Sequence, residues 1–97
     1  MANWAMDFEW DDEKEQDNIK KHRVTFLEAI ESFMDQRGLQ LTDNAHSKSE
    51  KRFYWIGKTT SGRILTSRFT IRGSKIRIIG SAEWRKFRRL YETTKIK

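Results

Sequence analysis

Three arginines are the first candidates for chemistry. Arg63, Arg68 and Arg77 fall in a stretch of β-branched and aromatic residues, on segments expected to form neighbouring strands. A guanidinium is always charged, and its planar fork of donors matches two phosphate oxygens at once. Held rigidly, such groups stabilise negative charge that builds on a reacting phosphate. Alternation along a strand puts Arg63 on the face opposite Arg68, so the three share one cleft only if a bulge intervenes. The other reading makes some of them solvated edge cations or contacts for a partner protein.

His22 is an imidazole, a group able to take up and release a proton, and follows Lys14, Asn18 and Lys21 along neighbouring turns of one helical face. It suits acid/base work or substrate orientation; a histidine that ends a helix and holds the next turn explains it as readily. His46 falls in a polar loop and reads as solvated. Tyr91 shares a helical stripe with Trp84 and Phe87. That spacing fits a core aromatic, although a phenol can also protonate a leaving group or stack on a base. Trp84 can stack on an unpaired base, and Lys21, Lys58, Arg85, Lys86 and Arg88 supply cations for a nucleic-acid backbone. Neither histidine has companions at metal-ligand spacing, so no metal and no cofactor are expected. The Lys-Thr-Thr-Ser-Gly run at 58–62 lacks the glycine spacing of a P-loop. The carboxylates from Asp11 to Asp17 read as the charged start of a helix rather than a catalytic pair.

The charge is divided along the chain. Residues 1–47 hold 5 Lys/Arg against 11 Asp/Glu, and residues 48–97 hold 15 against 3. The basic half is interleaved with aromatics, a pattern suited to RNA or DNA; an acidic protein partner is the alternative. At 97 residues one domain is expected, with Met1 to Met6 as a disordered lead-in. There is no cysteine, which removes disulfides and thiolate chemistry and fits a reducing cytoplasm. No apolar run is long enough for a membrane span or a signal-peptide core.

The elements that must position these residues follow from periodicity. Asp7 to Trp10 alternates as a short strand, and Asp11 caps a helix running to about His22. Thr25 and Glu28 form a capping box for a second helix that packs Phe26, Ala29, Ile30 and Phe33 on a sheet. Leu39 to Thr42 is a strand, and Asp43 to Lys51 a loop. Strands at Arg52 to Lys58, Arg63 to Ile71 and Lys75 to Gly80 are joined by short turns, so they form an antiparallel meander with one face on helices and one free. A last helix is expected from about Ala82 to Thr94.

In order and spacing these motifs resemble the BrnT family, toxins of a bacterial type II toxin–antitoxin pair. The resemblance rests on Phe8-Glu9-Trp10-Asp11, Lys14, Asn18, Lys21-His22, Val24-Thr25-Phe26, Glu28-Ala29, Phe33 and Asp35. It continues through Glu50, Arg52, Ile56-Gly57-Lys58-Thr59, Gly62-Arg63, Phe69-Thr70, Arg77-Ile78-Ile79, Trp84-Arg85-Lys86 and Tyr91-Glu92. It implies an α+β, RelE-like twisted antiparallel sheet: a short N-terminal strand, two helices, a four-strand meander and a C-terminal helix. It also implies a cytoplasmic endoribonuclease that arrests translation, acting on ribosome-associated or free RNA. The implied partner is a BrnA-like antitoxin, with operator DNA reached only through it. Cleavage of this kind uses the ribose 2′-hydroxyl, Arg/Lys stabilisation of the transition state, and proton carriers of which His22 and Tyr91 are the candidates. Many such chains carry Ser-Ala-Arg after the last strand, where this one has Ser81-Ala82-Glu83. An acid beside a phosphate site motivates the alternative, a non-catalytic nucleic-acid-binding module or degenerate toxin.

Overall fold

Capping side chains fix where the helices begin. In the computed structural model, which describes residues 7–95, strand β1 (Asp7–Trp10) leads through Asp11 into helix α1 (Asp12–His22). Asp11 Oδ1 accepts the Glu13 and Lys14 N–H groups at 2.8 and 3.2 Å. Helix α2 (Phe26–Ser32) starts on the expected capping box: the Glu28 N–H donates to Thr25 Oγ1 at 3.1 Å, and the Thr25 N–H donates to Glu28 Oε1 at 3.0 Å. Between the helices Arg23 adopts left-handed backbone (φ 56°), and its N–H closes on Ile19 O at 2.9 Å. That cap stops α1 at His22 and turns the chain into α2. The expected lead-in, residues 1–6, lies outside the described residues.

Strands β2 (Leu39–Thr42), β3 (Arg52–Lys58), β4 (Ile64–Arg72) and β5 (Lys75–Ala82) form the meander, and helix α3 (Arg85–Lys95) follows. The sheet order is β1-β5-β4-β3-β2. The meander is antiparallel as expected, but β1 runs parallel to β5, so the sheet is mixed. No hairpin ties β1 to its neighbour; two helices carry the chain across to the opposite edge, which leaves β1 free to pair in parallel. The last strand runs past Gly80 to Ala82, because Ser81 and Ala82 still pair with Ser67 and Thr66, and α3 starts correspondingly later.

The main core lies under α2. Phe26, Ala29 and Phe33 are fully buried against Phe8, Trp55, Phe69, Ile76 and Ile78. Phe33 stacks on Trp55 at 5.5 Å and meets Phe69 edge-on at 5.3 Å. The Trp55 indole donates to Ser32 O at 2.7 Å. Gly57 makes this approach possible, since a Cβ there lies 2.1 Å from Ser32 O. The opposite face is not free, contrary to expectation. There α3 lays Tyr91 and Phe87 on Ile56, Ile64, Leu39 and Leu41. This smaller cluster sits toward the β3–β4 turn, and the other half of that face carries Arg52, Arg68, Thr70 and Arg77.

Candidate active site

A register shift builds the floor of the site. Arg68 pairs with Gly80, but its neighbour Phe69 pairs with Ile78, so Ile79 is an extra residue in β5. Bulges of this kind re-aim side chains and are common beside active sites. Opposite Arg68 stands a residue with no side chain, which leaves the sheet surface open there. Asn18 then docks α1 on the exposed edge of β5. Its Nδ2 donates to Ser81 O and Val24 O, both at 2.9 Å, and the Ser81 N–H donates to Asn18 Oδ1 at 3.0 Å. The side-chain amide takes the place of a neighbouring strand, so a buried polar group and a strand edge satisfy each other.

Docked this way, α1 presents Lys14, Lys21 and His22 to the gap beside Arg68. Trp84, just before α3, closes the other wall, edge-on to the His22 ring at 5.8 Å. The result is a cleft of about 300 Å³, lined by these residues with Asp17, Asn18 and the β5 backbone around Gly80. Beyond Trp84 lies a second hollow of about 310 Å³, where Tyr54, Arg85, Lys86 and Phe87 join Arg68 and Trp84. The Arg68 guanidinium carbon lies 5.7 Å from the Tyr54 ring centroid. Its Nε is 3.7 Å from Asp43 Oδ2, beyond hydrogen-bond range, and has no hydrogen-bond partner although it is buried. The key cation of the cleft thus carries a loose ion pair with Asp43 and a ring contact with Tyr54, with no hydrogen bond through Nε.

Of the expected site residues, His22, Arg68, Lys21, Trp84, Arg85 and Lys86 are brought together around these two hollows. Arg77 shares the face of Arg68, opposite Thr70, with its Nη1 3.3 Å from Glu9 Oε2. The bulge does not bring Arg63 to them. Arg63 lies before β4 and clamps three segments: Nη1 to Glu28 at 2.6 Å, Nε to Glu83 at 2.5 Å, and Nη2 to Arg23 O at 3.2 Å. The Glu83 hydrogen bond, opposed by partial burial and reinforced by Glu28, raises the Arg63 pKa further. Partial burial pushes the Glu28 carboxyl up, but the Thr25 N–H and the Arg63 guanidinium more than offset this and hold it below its usual range. Glu83, the acid expected to oppose phosphate, is therefore engaged by Arg63 and does not line the cleft.

Tyr91 is buried away from the cleft and donates its hydroxyl to Asp35. Burial first, then the Asp35 carboxylate, raises its pKa well above the ordinary phenol value. The same carboxylate accepts the Lys58 N–H at 2.8 Å, so Lys58 sits beside this core contact rather than at the cleft. Arg88 pairs with Glu92 at 3.5 Å along α3. Sequence reasoning missed Tyr54, Gly80 and Asp43, and it read His46 as solvated. His46 is half exposed, in keeping with that reading, but its Nδ1 also faces both oxygens of the buried Asp43, at 2.9 and 3.1 Å. The three-residue spacing of Asp43 and His46 was the available signal. Among the described residues, no group of three or more His, Cys, Asp or Glu is placed to hold a metal, and no helix is long and apolar enough to cross a membrane.

Comparison with known proteins agrees with this architecture. No curated protein matches the chain. The crystal structure of the Brucella abortus ribonuclease toxin BrnT, solved at 1.1 Å, is similar in fold, with a TM-score of 0.65 at 23% identity over 82% of this chain and 97% of that one. The sequence profile described as ribonuclease toxin BrnT of type II toxin–antitoxin systems matches residues 10–87, and on that match the chain belongs to the BrnT family.

Proposed function

We propose that this protein is a metal-independent endoribonuclease whose active site is the cleft between α1 and the bulge at Arg68. The supporting observation is the gathering of His22, Lys21, Arg68 and Trp84 around one open space beside a glycine. In this reaction the ribose 2′-oxygen attacks the adjacent phosphorus. The 2′-O–P bond forms and the P–O5′ bond breaks, giving a 2′,3′-cyclic phosphate and a 5′-hydroxyl. His22 accepts the 2′-proton. Arg68 stabilises the charge that gathers on the non-bridging oxygens, where a fixed cation in a partly dehydrated site is most effective. Lys14 and Lys21 hold flanking phosphates, Trp84 stacks on an unpaired base, and Arg85 and Lys86 extend the track. Arg77, further along the same face, guides the incoming strand. RNA cleavage in the cytoplasm arrests translation until a BrnA-like antitoxin covers the site, and operator DNA is met only through that antitoxin.

The test is incubation of the purified protein with total RNA in EDTA. Cleavage with 5′-hydroxyl ends is expected, and Arg68→Ala lowers its rate by about 10²–10³-fold in protein that circular dichroism shows to be folded at the assay temperature. Intact RNA, or an undiminished Arg68→Ala variant, rejects the reading. Salt-sensitive binding without cleavage supports a binding module instead.

A further inference from the structure

The loop after β2 is polar in sequence, yet the structure anchors it firmly. The Asp43 N–H donates to Arg52 O at 2.8 Å. Ser47 Oγ donates to Asp43 O at 2.6 Å and accepts the Arg52 N–H at 3.0 Å. These bonds dock a single 3₁₀ turn, Asn44–His46, on the start of β3. They also bury the Asp43 carboxylate, which is only 4% exposed. A buried carboxylate demands partners, and its partners here are His46 and Arg68. His46 Nδ1 lies 2.9 Å from Oδ2, and Arg68 Nε lies 3.7 Å from the same oxygen. An ionised carboxylate only accepts, so Nδ1 carries the hydrogen, and Nε2 has no hydrogen bond among the described residues. Half of the His46 side chain is exposed. A carboxylate that orients an imidazole and leaves its far nitrogen outward is the arrangement used for proton transfer.

We infer that His46 is a second proton-transfer residue of the cleavage reaction, held by Asp43 beside the phosphate that Arg68 binds; the inference rests on the ribonuclease reading above. His22 lines the cleft on the β5 side of Arg68, whereas Asp43, which holds His46, follows β2 on the other side, with Arg68 on β4 between β5 and β3. An attacking and a leaving oxygen are on opposite sides of the phosphorus, so two proton carriers are needed on opposite sides of the cation. The 2′-proton goes to neutral His22 as the 2′-O–P bond forms. His46 in its imidazolium form gives its Nε2 proton to the 5′-oxygen as the P–O5′ bond breaks, keeping its Nδ1–H on Asp43. Both rings return to their starting states by exchange with water.

The experiment uses the full chain and two RNA oligonucleotides. One is ordinary; the other carries sulfur in place of the 5′-bridging oxygen, a leaving group that needs no acid. His46→Ala should cleave the ordinary RNA about 10²–10⁴-fold more slowly. It should cleave the sulfur-bridged RNA at a rate close to that of the unmodified protein. His46→Gln, which keeps a donor toward Asp43 but carries no acid, gives the same pattern and serves where the alanine variant does not fold. Equal losses on both substrates make the residue structural and overturn the inference, as does no loss on either, while cleavage by the unmodified protein leaves the ribonuclease reading standing. Unmodified protein that cleaves neither RNA overturns both.

Discussion

Tyr91 illustrates how surroundings assign a residue its work. Its phenol is buried and hydrogen-bonded to Asp35, which ties α3 to the end of β3 through the Lys58 N–H on the same carboxylate. Its pKa is raised above the ordinary value of 10.0, first by burial and then by Asp35. The unfolded chain releases this proton near pH 10, while the folded chain keeps it. The contribution of Tyr91 to stability is therefore complete below pH 10 and is lost as pH rises beyond it. Urea midpoints measured between neutral pH and the alkaline limit should fall above pH 10, and Tyr91→Phe should flatten that fall. A variant with the same alkaline slope as the unmodified protein contradicts this assignment.

At the scale of elements, one cation joins parts that are distant in sequence. Arg63 links α2 through Glu28, the α1–α2 turn through Arg23 O, and the approach to α3 through Glu83. Removing it breaks two partly exposed ion pairs and a backbone hydrogen bond, at a cost of about 1 kcal/mol. Arg63→Ala is thus expected to lower the denaturation midpoint while the folded fraction cleaves RNA at the unmodified rate. A variant of full stability and lost cleavage would return Arg63 to the catalytic group. Arg68 behaves differently because of the bulge and Gly80: the same residue type, five positions later, lines the cleft with a single looser ion pair to Asp43 at 3.7 Å.

Over the whole molecule, the two charge halves fold into each other. Glu9 meets Arg77 and Lys75, Glu28 meets Arg63, and Asp43 meets Arg68, while Glu50 meets Arg72 within the basic half itself. Several cations of the basic half are thereby engaged internally. The track left for RNA is Lys14, Lys21, Arg85 and Lys86 around Arg68. If four phosphates are held, log affinity for a single strand falls against log salt with a slope of about −3. Fluorescence anisotropy with 2′-O-methyl RNA, which cannot be cleaved, measures this slope. Lys86→Ala should reduce it by about 0.7, a change that loss of a stacking contact does not produce.

The sequence by itself determined what is local. The caps at Asp11 and Thr25, the alternation of the meander and the helical face of Lys14, Asn18, Lys21 and His22 are all set within a few residues, and they stand as expected. Tertiary structure alone decided what depends on register and on distant pairing. The parallel seat of β1, the bulge that sets Gly80 opposite Arg68, the clamp on Arg63 and the burial of Asp43 each join segments far apart in the chain. Periodicity tells which residues share a face of one element. It carries no information on which element lies across from it, because that choice is made by packing of the whole sheet and its helices.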